Sequence, residues 1–103
     1  MMDFNFQNGN IIYDNFCFDV SKKIECQEDS LVEDLLQVSF PDNLLLDLGW
    51  YPEFDITGQF VLQIIRNYDW DIPLYKREFS NLCMVYKELS DALKYIGSVC
   101  TRE

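Results

Sequence analysis

Between residues 35 and 66 the apolar residues fall into three runs that share one parity. Leu36, Val38 and Phe40 take the even positions of the first run, Leu44, Leu46, Leu48 and Trp50 those of the second, and Phe60, Leu62 and Ile64 those of the third. A period of two marks a strand with one buried face. Pro41-Asp42-Asn43 separates the first two runs and residues 52–58 separate the next two, so two successive antiparallel hairpins are the simplest arrangement. Facing Phe40 with Leu44 sets Val38 against Leu46 and Leu36 against Leu48. Facing Trp50 with Phe60 likewise aligns Leu48 with Leu62 and Leu46 with Ile64. A slip of one residue would turn every one of these side chains to the other face, so the shared parity predicts the register as well as the strands.

A fourth strand is expected over residues 72–79, after a turn at 67–71, with Pro73 suited to an edge or a strand start. The period then changes. Leu82, Val85, Tyr86, Leu89, Ala92, Leu93 and Ile96 form one stripe at helical spacing, Lys87, Glu88, Asp91 and Lys94 lie on the wet side, Ser80 is the candidate cap and Gly97 the candidate stop. The N-terminal third reads two ways. Phe4 and Phe6 alternate with polar residues before Asn8-Gly9, which makes 11–13 a return strand, and a short helix over 14–24 fits equally well. Residues 26–34 read as an acidic connector with a helical turn beginning at Ser30. The sum is an α+β fold: an antiparallel β-meander of about four strands packed on one face by a C-terminal α-helix, preceded by an N-terminal strand or helix segment.

Apolar residues make up 49% of the 103 and aromatic residues 16%, enough to offset chain entropy around one core, so residues 1–103 read as a single domain. The longest apolar runs fall far short of the roughly 20 residues of a membrane span. The N-terminus has no basic segment followed by an apolar one, so no secretory signal is read and a cytoplasmic location is expected. In that reducing setting Cys17, Cys26, Cys83 and Cys100, none at paired metal-ligand spacing, read as small buried hydrophobes. The chain has no histidine, which removes the commonest proton-transfer group and zinc ligand. With no phosphate-binding glycine loop and no nucleophile motif either, no enzymatic activity, no cofactor and no metal are expected.

Charge adds direction. The net charge is −10, and residues 24–65 contain no Lys or Arg while holding Glu25, Glu28, Asp29, Glu33, Asp34, Asp42, Asp47, Glu53 and Asp55. The bases, Lys22, Lys23, Arg66, Lys76, Arg77, Lys87, Lys94 and Arg102, all lie outside that stretch. Acidity can serve solubility alone, but an unbroken run of one sign gives the molecule a negative side. Such a side repels nucleic acid and anionic membrane and steers cationic partners in.

Three surfaces are candidates for contact. The odd face of the meander offers Asp47, Tyr51, Gln59 and Gln63, among residues that otherwise suit a solvated sheet face. The loops offer Glu53 and Asp55 on one side and Asp69, Trp70 and Asp71 on the other, leaving opposite ends of the third strand; Trp50 belongs to the core parity. The acidic connector offers Glu25, Glu28, Asp29, Glu33 and Asp34.

The elements Asp47-Leu48-Gly49-Trp50-Tyr51-Pro52-Glu53-Phe54-Asp55, Gly58-Gln59-Phe60-Val61-Leu62 and Asp69-Trp70-Asp71-Ile72-Pro73-Leu74 resemble small bacterial immunity proteins of contact-dependent growth inhibition and polymorphic toxin systems. The resemblance spans roughly residues 35–96 and leaves the N-terminal third unmatched. It implies a cognate basic toxin domain, commonly a nuclease such as an RNase, bound by a monomer as a 1:1 heterodimer and neutralised in the cytoplasm by covering or obstructing its active site. Acidity suits that task because toxins that grip nucleic acid are basic. An acidic DNA mimic or regulator that binds a host nucleic-acid-binding factor shares the same charge. A small hydrolase working through paired carboxylates such as Glu53 and Asp55 would need a cleft holding them at catalytic separation.

Overall fold

In a computed structural model, residue 2 and residues 4–100 are described, the Cys100 side chain excepted. That side chain and Arg102 lie outside the described residues. Five strands follow one another in spatial as in chain order: β1 (Asn10–Asp14), β2 (Leu36–Phe40), β3 (Leu44–Tyr51), β4 (Gln59–Arg66) and β5 (Tyr75–Phe79). All neighbours are antiparallel. A 3-10 turn at Leu82–Met84 then leads into the helix α1 (Val85–Cys100), and two further 3-10 turns, Ile24–Cys26 and Glu28–Ser30, lie between β1 and β2.

The register read from parity is the register observed. Phe40 faces Leu44, Val38 faces Leu46 and Leu36 faces Leu48; Trp50 faces Phe60, Leu48 faces Leu62 and Leu46 faces Ile64. The turn between β2 and β3 puts Asp42 and Asn43 at positive φ (68° and 58°), which these two residue types tolerate better than most. On the even face these residues join Val85, Leu89, Ala92 and Ile96 of α1 in one buried cluster. Trp50 is fully buried in it, edge-on to Phe60 at 4.8 Å.

The N-terminal third supplies what the alternation of β2–β4 did not predict. Phe6 and Phe16 are buried in the same cluster, Phe4 stacks on Tyr86 of α1 at 5.9 Å, and Phe18 meets Phe60 edge-on at 5.8 Å. Helix and N-terminal aromatics therefore share the even face. Of the two readings for this region, the strand is the correct one, but it does not pair back on residues 4–6. It extends the sheet to five strands by pairing with β2, with a one-residue bulge between Ile11 and Tyr13. The bulge sets Tyr13 opposite Gln37, where unbroken register would have put Ile12. No helix forms over 14–24, and the turn expected from Ser30 ends there instead.

Other boundaries move for local reasons. β5 starts at Tyr75 because residues 70–73 are used in turning and Pro73 has no N–H to give a ladder. Asn81, not Ser80, caps the C-terminal element: its Oδ1 accepts from the Cys83 N–H at 3.1 Å. Gly97 does not stop α1, which runs on to Cys100. Cys17, Cys26 and Cys83 are exposed free thiols, contrary to the expected burial. Cys17 lies between Phe16 and Phe18, which take the inward positions, and Cys83 follows Leu82, which does the same. The odd face is also less solvated than expected, because Leu45 and Ile65, paired across β3 and β4, are 4% and 0% exposed. Among the described residues no helix is long and apolar enough to cross a membrane.

Two glycines test this description with opposite signs. A Cβ on Gly49 would lie 2.1 Å from the Glu33 carbonyl oxygen, whereas one on Gly97 meets nothing within 4 Å. Gly97→Ala is expected to stabilise the fold by about 0.5–1 kcal/mol, the helix-propensity difference. Gly49→Ala is expected to destabilise it by about 1–3 kcal/mol, as overpacking does. Urea unfolding of the two variants checks both signs.

Candidate functional site

The turn from the N-terminal region into β2 builds the site. The Val32 carbonyl accepts from the Trp50 N–H at 3.0 Å and the Leu35 N–H donates to the Leu48 carbonyl at 3.2 Å, so both ends of this stretch are tied to β3. Between them Glu33 and Asp34 loop out, exposed, with the Glu33 carbonyl seated over Gly49. The β3–β4 loop is tied to the same stretch: the Phe54 N–H donates to the Leu31 carbonyl at 2.7 Å, and the Glu33 N–H to Glu53 Oε2 at 3.4 Å. Asn15, after β1, donates through Nδ2 to the Asp34 carbonyl at 3.0 Å. The result is a shallow cleft of about 410 Å³ lined by Asn15, Cys17, Asp29, Ser30, Val32, Asp34 and Glu53.

Beside it, one row of side chains crosses the odd face from edge to edge: Tyr13, Gln37, Asp47, Gln63 and Lys76. Asp47 is its centre. It is the buried charged residue of the described chain, 6% exposed. Gln37 Nε2 donates to its Oδ1 at 3.1 Å, while Oδ2 receives no donor from the described residues and opens to solvent. Burial pushes the Asp47 carboxyl above the ordinary carboxylate value; the Gln37 hydrogen bond opposes this and the negative Asp34 adds to it. Tyr13 donates to Asp34 Oδ1 at a long 3.4 Å. Burial, and then the charges of Asp47 and Asp34, push the Tyr13 phenol up to about 12. Tyr51 is raised by burial and by Asp47, Glu33 and Asp34 in turn. Both tyrosines therefore remain protonated near neutrality, as aromatic walls carrying hydroxyls beside a cluster of carboxylates.

Of the residues named from sequence, this face gathers Asp47 and Gln63 in one row, Tyr51 and Gln59 as register partners, Asp34, Glu53 and Asp29 at the adjoining cleft, and Glu33 beside them, its N–H on Glu53 and its charge acting on Tyr51. It does not gather the rest. Asp55 turns onto Thr57, whose hydroxyl and N–H donate at 2.6 and 2.9 Å and hold its pKa down, and the Asp55 carbonyl accepts from Trp50 Nε1. Asp69, Trp70 and Asp71 lie past the Arg66 end of β4, which is about 10 Å along the strand from Gln63 and about 23 Å from Gln59 at roughly 3.3 Å per residue. There Asp69 closes its own turn onto the Asp71 N–H. Glu25 and Glu28 line a neighbouring open cleft that shares Asp29 and Ser30 with the first. Tyr13, Gln37 and Phe54 were missed. Tyr13 needed the bulge, and Gln37 needed Asp47 to be recognised as buried. Phe54 stands 56% exposed at φ 63°, a conformation costly for a bulky side chain.

Among the described residues no three His, Cys, Asp or Glu side chains converge to hold a metal ion. What the arrangement can do is receive hydrogen-bond donors and positive charge. Fold and surface together define a small α+β protein with one tyrosine-lined face on which carboxylates gather. Comparison with protein-family models, with curated proteins and with solved structures finds no match to this chain.

The Asp47 environment has a signed consequence. A carboxyl whose folded pKa is raised holds its proton more tightly in the folded chain, so its contribution to stability is complete below the unfolded value of 3.8. That contribution is lost as pH rises through the folded pKa. Asp47→Asn is therefore expected to stabilise the isolated protein at pH 7 by about 1 kcal/mol, the scale of one under-satisfied buried polar group. The gain should vanish by pH 3.8. Thermal melts of both proteins across pH 3–8 check sign and window.

Proposed function

We propose that this chain is an immunity-type inhibitor, a non-catalytic protein that binds a cognate basic toxin domain in the cytoplasm as a 1:1 complex and obstructs its active site. One observation carries the proposal. The base-free run of residues 24–65 folds so that Asp29, Glu33, Asp34, Asp47 and Glu53 cluster around one cleft and the neighbouring end of one sheet face. A cluster of that kind offers a partner built to hold phosphates a surface with similar charge. Tyr13, Tyr51 and Phe54 add contact area of the kind that anchors interfaces. A nuclease domain is the toxin class that this charge fits best.

The test is rescue from toxicity. The C-terminal domain of a large secreted protein encoded next to this chain is co-expressed with it, and growth and complex formation are measured. The wild-type chain is expected to restore growth. The triple charge reversal Glu33→Lys, Asp34→Lys, Glu53→Lys should weaken the complex at least 100-fold and flatten its dependence on salt. Asp71→Lys, in the loop past the Arg66 end of β4, should leave both unchanged. Equal rescue by all three proteins would overturn the assignment of this face.

A further inference from the structure

We infer that Asp47 is the receptor for an arginine side chain of the partner, which enters between Tyr13 and Tyr51 and pairs with the free carboxylate oxygen. The inference rests on the reading of the chain as a binder of a basic protein and names the group through which it binds. Asp47 is only 6% exposed as a residue, and a carboxylate set so far back from water is normally repaid by a cation or by a full set of hydrogen bonds. Asp47 has neither. Gln37 serves one oxygen, no described residue serves the other, and the neighbouring charge that acts on it is Asp34, another anion. Lys76 lies in the same row but two strands away, about 10 Å at roughly 4.8 Å per strand. It pairs instead with Glu78 at 3.5 Å.

A second unused acceptor stands beside the first. The Glu33 carbonyl lies over Gly49, the position between Asp47 and Tyr51 on that face, and accepts no hydrogen bond from the described residues. With the hydroxyls of Tyr13 and Tyr51, the site presents acceptors in several directions between aromatic rings. That set favours a guanidinium over an ammonium. A guanidinium is planar, stacks on aromatic faces, carries five donors in a fixed fork and gives up its hydration more readily. The cation absent from the chain's own site is thus supplied from outside, and the carboxylate that destabilises the free protein becomes the centre of the contact.

The test uses the whole chain, labelled with nitrogen-15 and titrated at fixed ionic strength with a tetra-arginine amide and, separately, a tetra-lysine amide. The arginine peptide is expected to shift the Gln37 side-chain amide and the backbone amides of Asp47 and Gly49. The lysine peptide, of equal charge, should bind more weakly and leave Gln37 in place. Asp47→Asn, which keeps the shape of the residue, should weaken the arginine peptide at least tenfold. Tyr51→Ala, at an exposed position, should remove the preference for arginine. If both peptides move only exposed acidic residues such as Glu25 and Glu28, and Asp47→Asn changes nothing, Asp47 is not a receptor, although a cationic partner still fits. If neither peptide moves any acidic residue, the reading of the chain as a binder of basic proteins falls with it.

Discussion

Side-chain alternation along β3 is the constraint on which the rest depends. Leu44, Leu46, Leu48 and Trp50 must face α1 and the N-terminal aromatics to form the core, and that choice leaves Leu45, Asp47, Gly49 and Tyr51 on the opposite face. The central strand of a five-stranded sheet has neighbours on both sides, so a residue at its middle is hemmed in by the rows beside it even on the face away from the helix. Asp47 occupies that middle. Its burial follows from the packing of the core, and its lack of a cation follows from a base-free stretch that supplies all its near neighbours in β2 and β3.

If Asp47 receives a partner's cation as proposed, stability and binding pull against each other at this position. A neutral amide would suit the isolated fold better than a carboxylate that repels Asp34 and is held by one hydrogen bond. Positions that cost stability and serve no packing purpose are characteristic of binding surfaces, where an unmet interaction in the free protein is completed in the complex. Phe54, exposed at positive φ in the loop that adjoins the same cleft, shows the same pattern in the backbone.

The strands β2, β3 and β4, their register and the apolar stripe of α1 were legible in the sequence because each obeys a strict period and the periods agree with one another. The N-terminal third was not, since its contribution is made by separated aromatics. Phe4, Phe6, Phe16 and Phe18 dock onto a sheet whose position no local pattern in residues 1–30 encodes. The site was half legible for the same reason. Asp47 and Tyr51 follow from parity, but Tyr13 reaches them only through a bulge, and Glu33 and Asp34 only because both ends of their segment are tied to β3. Asp69 and Asp71 were drawn in because they flank Trp70 in the next connecting loop, and the length of β4 sets that loop apart from the Tyr51–Gln59 end of the face.

The most direct measurement is amide hydrogen exchange of the full chain, alone and mixed with the basic toxin domain proposed as its partner. Docking on the face around Asp47 predicts new protection confined to residues 31–37 and 47–54 and to Tyr13, with α1 and residues 67–74 exchanging as in the free protein. Protection centred on α1 or on residues 67–74, with residues 31–37 and 47–54 unchanged, would contradict it.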